Sequence, residues 1–301
     1  MISKQHTIIL IGLLLILVES SCSVKTQFNP KNTPTLISTP TSTFTSTSTP
    51  KPTVSPTITP TPVGGGLGKI AFVSTRDGKL DIYIMNSDGS EQIRLTYNSG
   101  DNTDPNWSPN GEKIIYISQG NTGGRAGRDI FIINANGEEE INLTKSFPEI
   151  GFDEPKWSPD GTKIAYVGCH SYAFESCEIF IMNSDGGEKK QITNNEFDDR
   201  FFEWSPDGKQ IAFWSLRNKQ GDIYVINIDG SGELKLTNNP KYPNHISYNI
   251  NPSWLPKGKT IIYMSTNFNT KYYEIYAINS DGSDETRITL TQGSEWLISG
   301  Q

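Results

Sequence analysis

One five-residue phrase recurs along this chain of 301 residues: Trp107-Ser108-Pro109-Asn110-Gly111, Trp157-Ser158-Pro159-Asp160-Gly161, Trp204-Ser205-Pro206-Asp207-Gly208 and Trp254-Leu255-Pro256-Lys257-Gly258. Repetition at this period marks a propeller or a solenoid, in which each supersecondary unit buries its apolar face only against its neighbours. A second constant element ends an alternating apolar run in every unit: Asn86-Ser87-Asp88-Gly89, Asn134-Ala135-Asn136-Gly137, Asn183-Ser184-Asp185-Gly186, Asn227-Ile228-Asp229-Gly230 and Asn279-Ser280-Asp281-Gly282. Pro pre-sets φ at the second position of a turn and Gly supplies a positive φ at little steric cost, so both elements read as hairpin connections.

The runs between the turns are rich in Ile, Val, Phe and Tyr, as in Lys69-Ile70-Ala71-Phe72-Val73-Ser74, and none has a helical period. Each unit parses as an inner strand ending at the Trp, a second strand such as 163–168, a third such as 178–183 and a fourth such as 189–193. Four strands per repeat make a propeller blade, and the chain is expected to be all-β. The first unit begins at Gly68 with its second strand, and Ser294-Glu295-Trp296-Leu297-Ile298 reads as the missing inner strand. The two termini then complete one blade and leave no open sheet edge, giving five blades. A sixth supplied by a partner is the alternative.

The Trp-Ser-Pro-Asp-Gly turn, the Ile-Ala-Phe strand and the Ile-Tyr-x-Met-Asn-x-Asp-Gly segment resemble the WD40-like repeat of TolB-type β-propellers, over about residues 68 to 298. The resemblance implies the propeller fold. It does not carry over the role of TolB in the Tol-Pal envelope machinery, because TolB proper resembles a six-bladed propeller preceded by an α/β domain, and here five units are visible without one.

Lys4 precedes an apolar stretch, residues 8–18, with the proportions of a signal-peptide core and too short to span a membrane comfortably. Residues 1–22 are read as a signal peptide of an exported chain. Cys22, preceded by small residues, resembles the bacterial lipoprotein processing site, although Glu19 stands where that motif usually has Leu; ordinary cleavage near Ser21 is the alternative. A diacylated Cys22 would anchor the chain to a membrane. Residues 23–67 are dominated by Thr, Ser and Pro and cannot bury a core. They read as a disordered stalk reaching roughly 100 Å at ~3.1 Å per residue, which leaves residues 68–301 as the propeller.

Cys169 and Cys177 flank the loop between the second and third strands of one unit, where two cysteines of an exported chain can meet across the ladder as a disulfide. Reduced thiols are the alternative; His170 is the only further metal ligand of suitable type nearby. A net charge of −7 and an acidic pI near 5.1 argue against nucleic acid as a partner.

In a four-stranded blade the two kinds of tight turn fall on one face. The longer loops fall on the other: 119–128, 169–177, 216–221 and 266–273 within units, and 97–103, 145–153, 194–200 and 238–250 between units. Binding residues concentrate on loops held by a rigid scaffold, so the long-loop face is the expected site. Its candidates are Arg125, Arg128, Tyr172, Phe174, Tyr242, His245, Tyr248, Phe268, Tyr272 and Tyr273, a set of amphipathic rings and cations suited to a peptide or a sugar. The other reading is that individual rings only pin the loops to the disc. Asp101, Asp104, Asp153, Glu154, Asp198 and Asp199 stand where the chain enters successive inner strands, with Asn249 and Asn251 at the corresponding place in the next unit. If they converge they form an acidic ring for Ca²⁺ or a basic peptide; as solvated caps neutralised by Arg200 they form no site. The Asp residues of the Asn-x-Asp-Gly turns lack the ligand run of an EF-hand and read as turn residues. The repeated Trp residues read as wedges between blades.

These features favour an extracytoplasmic, membrane-anchored binding or scaffold protein of the bacterial envelope, with no cofactor, that recognises an envelope or extracellular protein, a peptide or a glycan. A purely structural role within an envelope complex is a second reading. The rival is a hydrolase or lyase acting on glycans through the acidic residues. Five-bladed propellers resemble several glycosidases, which need two carboxylates across a cleft. TolB-like repeats also resemble pectate-fragment lyases, whose metal site is His-rich, whereas this propeller holds only His170 and His245. No Gly-x-Ser-x-Gly segment of a propeller-bearing peptidase is present.

Overall fold

The computed structural model describes residues 68–120, 127–145, 150–170, 176–217, 221–237, 249–267 and 272–289. They form five antiparallel sheets in chain order. The first holds β1 (Lys69–Ser74), β2 (Asp81–Asn86) and β3 (Ile93–Arg94); the second β4 (Asp101–Trp107), β5 (Lys113–Gln119), β6 (Arg128–Asn134) and β7 (Ile141–Asn142). The third holds β8 (Ile150–Trp157), β9 (Lys163–His170), β10 (Cys177–Asn183) and β11 (Lys190–Gln191). The fourth holds β12 (Asp199–Trp204), β13 (Gln210–Ser215), β14 (Asp222–Asn227) and β15 (Leu234–Lys235); the fifth β16 (Asn249–Trp254), β17 (Thr260–Asn267), β18 (Tyr272–Asn279) and β19 (Thr286–Arg287). Each sheet is a blade, and the first strand of a blade packs on strands of the blade before it, as β8 does on β4, β5 and β6.

The turns behave as the sequence dictates. Ser108 and Lys113 close the first Trp turn through Ser108 N–H to Lys113 O at 2.8 Å, with Gly111 at φ 72°. Gly186 at φ 85° donates to Asn183 O at 2.9 Å in the other turn type. Two boundaries differ from expectation. The fourth strand pairs over two residues and not five, because Glu188 at φ 47° turns the chain just before it and Thr193 leaves the ladder to bond a side chain. The inner strands also begin inside the segments expected as loops, at Asp101, Ile150, Asp199 and Asn249.

The core lies between blades. Ile115, Ile117, Ile130 and Leu143 of the second blade cluster with Phe152, Trp157, Ile164 and Met182 of the third; Val167, Ile179 and Ile192 of the third cluster with Phe202, Trp204 and Phe213 of the fourth. Central strands such as β5 and β13 are therefore buried on both faces and read as near-continuous apolar runs. The stretch expected as a signal peptide, Cys22, the segment expected as a stalk and residues 294–298 lie outside the described residues.

Candidate functional site

Each of the four described inner strands carries the same irregularity three residues before its Trp. The ladder slips between Thr103 and Asn106, Asp153 and Lys156, Arg200 and Glu203, and Ile250 and Ser253. The residues in the slip, Asp104, Glu154, Phe201 and Asn251, all have left-handed backbone, with φ of 53°, 54°, 48° and 54°. Such conformations are uncommon for side chains other than Gly, Asn and Asp, and bulges of this kind re-aim side chains. Three of the four bulged residues are followed by Pro, which donates no ladder hydrogen bond and fits a bulge. Four successive blades thus present an acid, an acid, an aromatic and an amide at one level. Phe201 and Asn251 are exposed, and so is Asp104.

Between the second and third blades the bulges open into a cleft of about 410 Å³, lined by Asp104, Pro105 and Asn106 on one side and Asp153, Glu154, Pro155 and Lys156 on the other, with Arg128 at its end. Arg128 Nη1 pairs with Asp153 Oδ1 at 2.6 Å. Glu154 Oε2 accepts the Phe201 N–H at 3.0 Å, and burial pushes its carboxyl above the ordinary range against the pull of Lys156 and Arg200. Lys156 reaches the fourth blade, donating to Phe202 O and to Glu203 Oε2, both at 2.7 Å. The cleft combines three carboxylates, two cations and proline walls, a mixed lining that suits a polar or peptidic ligand better than a purely apolar one.

Residues 129–299 match the TolB beta propeller domain. The chain belongs to this family. An uncharacterized protein of Agrobacterium fabrum is 30% identical over 124 residues, which are 41% of this chain and 39% of that protein. TolB from Acinetobacter baumannii superposes with a TM-score of 0.55 at 21% identity, over 76% of this chain and 54% of that one. An oligogalacturonate lyase in complex with manganese superposes with a TM-score of 0.62 at 18% identity, over 74% of this chain and 62% of the lyase. The chain therefore spans less than half the length of its curated Agrobacterium relative, and the two structural likenesses are likenesses of fold.

Of the residues expected at the site of this TolB-family propeller, the structure brings Arg128, Asp104, Asp153 and Glu154 together in the cleft. The other acids lie elsewhere. Asp101 accepts the Leu80 N–H, Asp198 pairs with Arg200 Nε at 3.1 Å, and Asp199 is fully buried at a blade junction. Among the described residues no three His, Cys, Asp or Glu side chains are grouped to hold a cation. Tyr272 and Tyr273 open β18 in the fifth blade, opposite Asn267 and Thr266, with Tyr272 exposed. Arg125, Tyr172, Phe174, Tyr242, His245, Tyr248 and Phe268 lie outside the described residues. The sulfurs of Cys169 and Cys177 are bonded across the β9–β10 ladder, with Arg200 Nη2 against both.

Sequence reasoning missed Lys156 in the cleft, the exposed Phe201 on the next bulge, and a second repeated device. The acid opening the third strand of each blade, Asp81, Asp129, Glu178, Asp222 or Glu274, accepts a hydrogen bond from a Thr fifteen residues on: Thr96, Thr144, Thr193, Thr237 or Thr289. The same Thr hydroxyl accepts the N–H of the residue after the acid, as Thr237 Oγ1 does from Ile223 at 3.0 Å. Cations balance most of these carboxylates: Arg94 lies 2.7 Å from Asp81 and Lys235 lies 2.7 Å from Asp222, and Arg287 pairs with Glu274. The available signal was the acid preceding the Ile-Tyr or Ile-Phe pair of each unit's third strand.

Proposed function

We propose that this chain is an extracytoplasmic, membrane-anchored binding or scaffold protein that holds an envelope or extracellular protein, a peptide or a glycan at the long-loop end of its propeller. The observation that carries the reading is the cleft between the second and third blades. Its acids and Lys156 sit at bulges of packed inner strands, a rigid presentation, and Asp104 faces Glu154 and Lys156, with Arg128 at the end, across a volume sufficient for a few residues of ligand. Export and anchoring are supported by the apolar stretch 8–18, Cys22 and the Thr/Ser/Pro stalk, and by membership of a family named for an envelope protein.

The reading includes a propeller of five blades closed by residues 294–298. Its support is the indole of Trp107. Trp157, Trp204 and Trp254 each donate Nε1–H to a carbonyl of the preceding inner strand, from Asn106, Lys156 and Glu203, at 3.2 to 3.3 Å. Trp107 Nε1 is buried without an acceptor, and its preceding blade has no inner strand among the described residues.

The alternative, a hydrolase or lyase acting on glycans, draws on Glu154, whose burial-raised carboxyl is of the kind a general acid uses. Against it, Asp153 is engaged by Arg128 and Glu154 holds the Phe201 N–H, so both carboxylates already position strands.

The test presents the full chain to envelope extracts and glycan arrays, with and without calcium, beside Glu154→Gln, Lys156→Ala and Tyr272→Ala variants. Binding lost in the first two supports the cleft. Binding indifferent to all three overturns it, and turnover of a bound glycan abolished in Glu154→Gln favours the enzyme.

A further inference from the structure

On the tight-turn side, away from the cleft, the second and third blades enclose a groove of about 680 Å³. Pro109, Ile132, Ile141, Leu143 and Trp157 give it an apolar surface, and Lys113, whose Nζ is held by Asn134 Oδ1 at 2.7 Å, also lines it. Ile141 is 53% exposed, and its counterparts opening the fourth strands of the first and fourth blades, Ile93 and Leu234, are exposed as well. Asp160 and Asp185 stand at the rim, and neither has a cationic partner among the described residues. Hydrogen bonds from Ser158 and Thr162 hold the Asp160 carboxyl below its ordinary range, so it stays charged.

The next junction shows what such a groove accepts. Ile141 is the first residue of β7, and its counterpart at the start of β11 is Lys190. Lys190 crosses from the third blade to the fourth and donates Nζ to Asp229 O at 2.8 Å. Hydrogen bonds from Ser231 hold the Asp229 carboxyl low, and the Lys190 charge adds a smaller contribution. Asp229 is the Asp of the fourth blade's Asn-x-Asp-Gly turn, and Asp185 is the same residue in the third. At the second junction the Asp is therefore in place, while an isoleucine stands where the cation would start.

We propose that the groove between the second and third blades docks a peptide segment of a partner protein, in which a lysine flanked by an aliphatic residue sets its ammonium at Asp185 as Lys190 sets its own at Asp229. The aliphatic residue packs on Ile141 and Trp157, and the acidic rim selects a cation over an anion. This surface is independent of the cleft, so either reading can fail alone.

The experiment titrates the full chain with a fluorescein-labelled peptide of alternating leucine and lysine, and with leucine–glutamate and serine–lysine controls, read by anisotropy. The leucine–lysine peptide is expected to bind, and both controls at least about tenfold more weakly. Ile141→Lys, which copies the third-to-fourth junction at an exposed position, is expected to remove one site, and Lys190→Ile to add one. Equal binding of the serine–lysine control, binding unchanged in Ile141→Lys, or no added site in Lys190→Ile overturns the proposal. So does loss of peptide binding in the cleft variant Lys156→Ala with the groove intact. If no peptide binds and Ile141→Lys instead dissociates a dimer in sedimentation, the occupant is a second copy of the chain and the proposal fails.

Discussion

The indole Nε1–H of Trp204 donates to the carbonyl oxygen of Lys156 at 3.2 Å, across the junction of the third and fourth blades. The bond satisfies a donor and an acceptor that the apolar surroundings of Trp204 keep from water. Trp204→Phe keeps most of the ring and removes the donor, so it is expected to destabilise by about 1–3 kcal/mol. Urea unfolding measures the cost; a midpoint equal to that of the unaltered chain would show that the hydrogen bond contributes nothing. At Trp107, whose Nε1 has no acceptor among the described residues, Trp107→Phe is expected to cost as much if residues 294–298 complete the first blade and accept the indole, and less if they do not.

The Thr and acid pairs staple each outer strand to the blade. Thr237 Oγ1 accepts the Ile223 N–H at 3.0 Å and donates to Asp222 Oδ1 at 2.8 Å, and all three residues are buried. Thr237→Val leaves a buried N–H and part of a buried carboxylate unpaired, with an expected loss of about 2–3 kcal/mol. Thr237→Ser keeps both bonds and is expected to recover most of it. Melting temperatures of the two variants separate lost hydrogen bonding from lost volume.

How far this was legible differs from residue to residue. The blades, the turns and the wedge role of Trp157 and Trp204 follow from a repeated pattern, because spacing and turn chemistry are local properties. The fate of the acids does not. Asp198 and Asp199 are adjacent, yet one is paired with Arg200 near the surface and the other is fully buried. Successive strand residues face opposite sides, and a bulge shifts that alternation, so register decides which acid is inside. Phe201 was invisible as a site residue for the same reason: its exposure comes from the left-handed backbone of the bulge. The Thr staples lie fifteen residues from their acids and become neighbours only when the third and fourth strands pair.

The third-to-fourth junction departs from the others in charge. Glu178 accepts Thr193 Oγ1 at 2.5 Å and the Asn195 N–H at 2.8 Å, and no cation forms an ion pair with it among the described residues. Where the second and fifth blades place Asn102 and Asn249 next to the staple, the fourth places Asp199, itself raised by burial. Arg217 lies 3.6 Å from Asp199 but is held by Glu233. Burial lifts the Glu178 carboxyl from 4.5 to about 7. A carboxyl raised in the folded state contributes stability that is full below its unfolded pKa and lost as pH rises through the folded value. The melting temperature is therefore expected to fall between about pH 5 and about pH 7.5, and Glu178→Gln to flatten that fall. A Glu178→Gln profile parallel to that of the unaltered chain would remove Glu178 as the cause.

Closure of the ring rests on the first blade, whose three described strands begin with β1 and leave Trp107 Nε1 without an acceptor. Every other described blade begins with an inner strand, and three inner strands accept an indole from the blade that follows. If residues 294–298 fill the vacant position, removing residues 294–301 opens a sheet edge beside β1 and exposes the apolar face of Ala71 and Val73, which pack against the first core cluster. The melting temperature is expected to drop by several degrees, on the scale of ~4 °C per kcal/mol or less for a domain of this size, and hydrogen exchange of the β1 amides to accelerate while that of β13 is unchanged. An unaltered melting temperature and unaltered β1 protection would mean that the first blade is completed by something other than the chain's own end, and would favour the sixth-blade alternative.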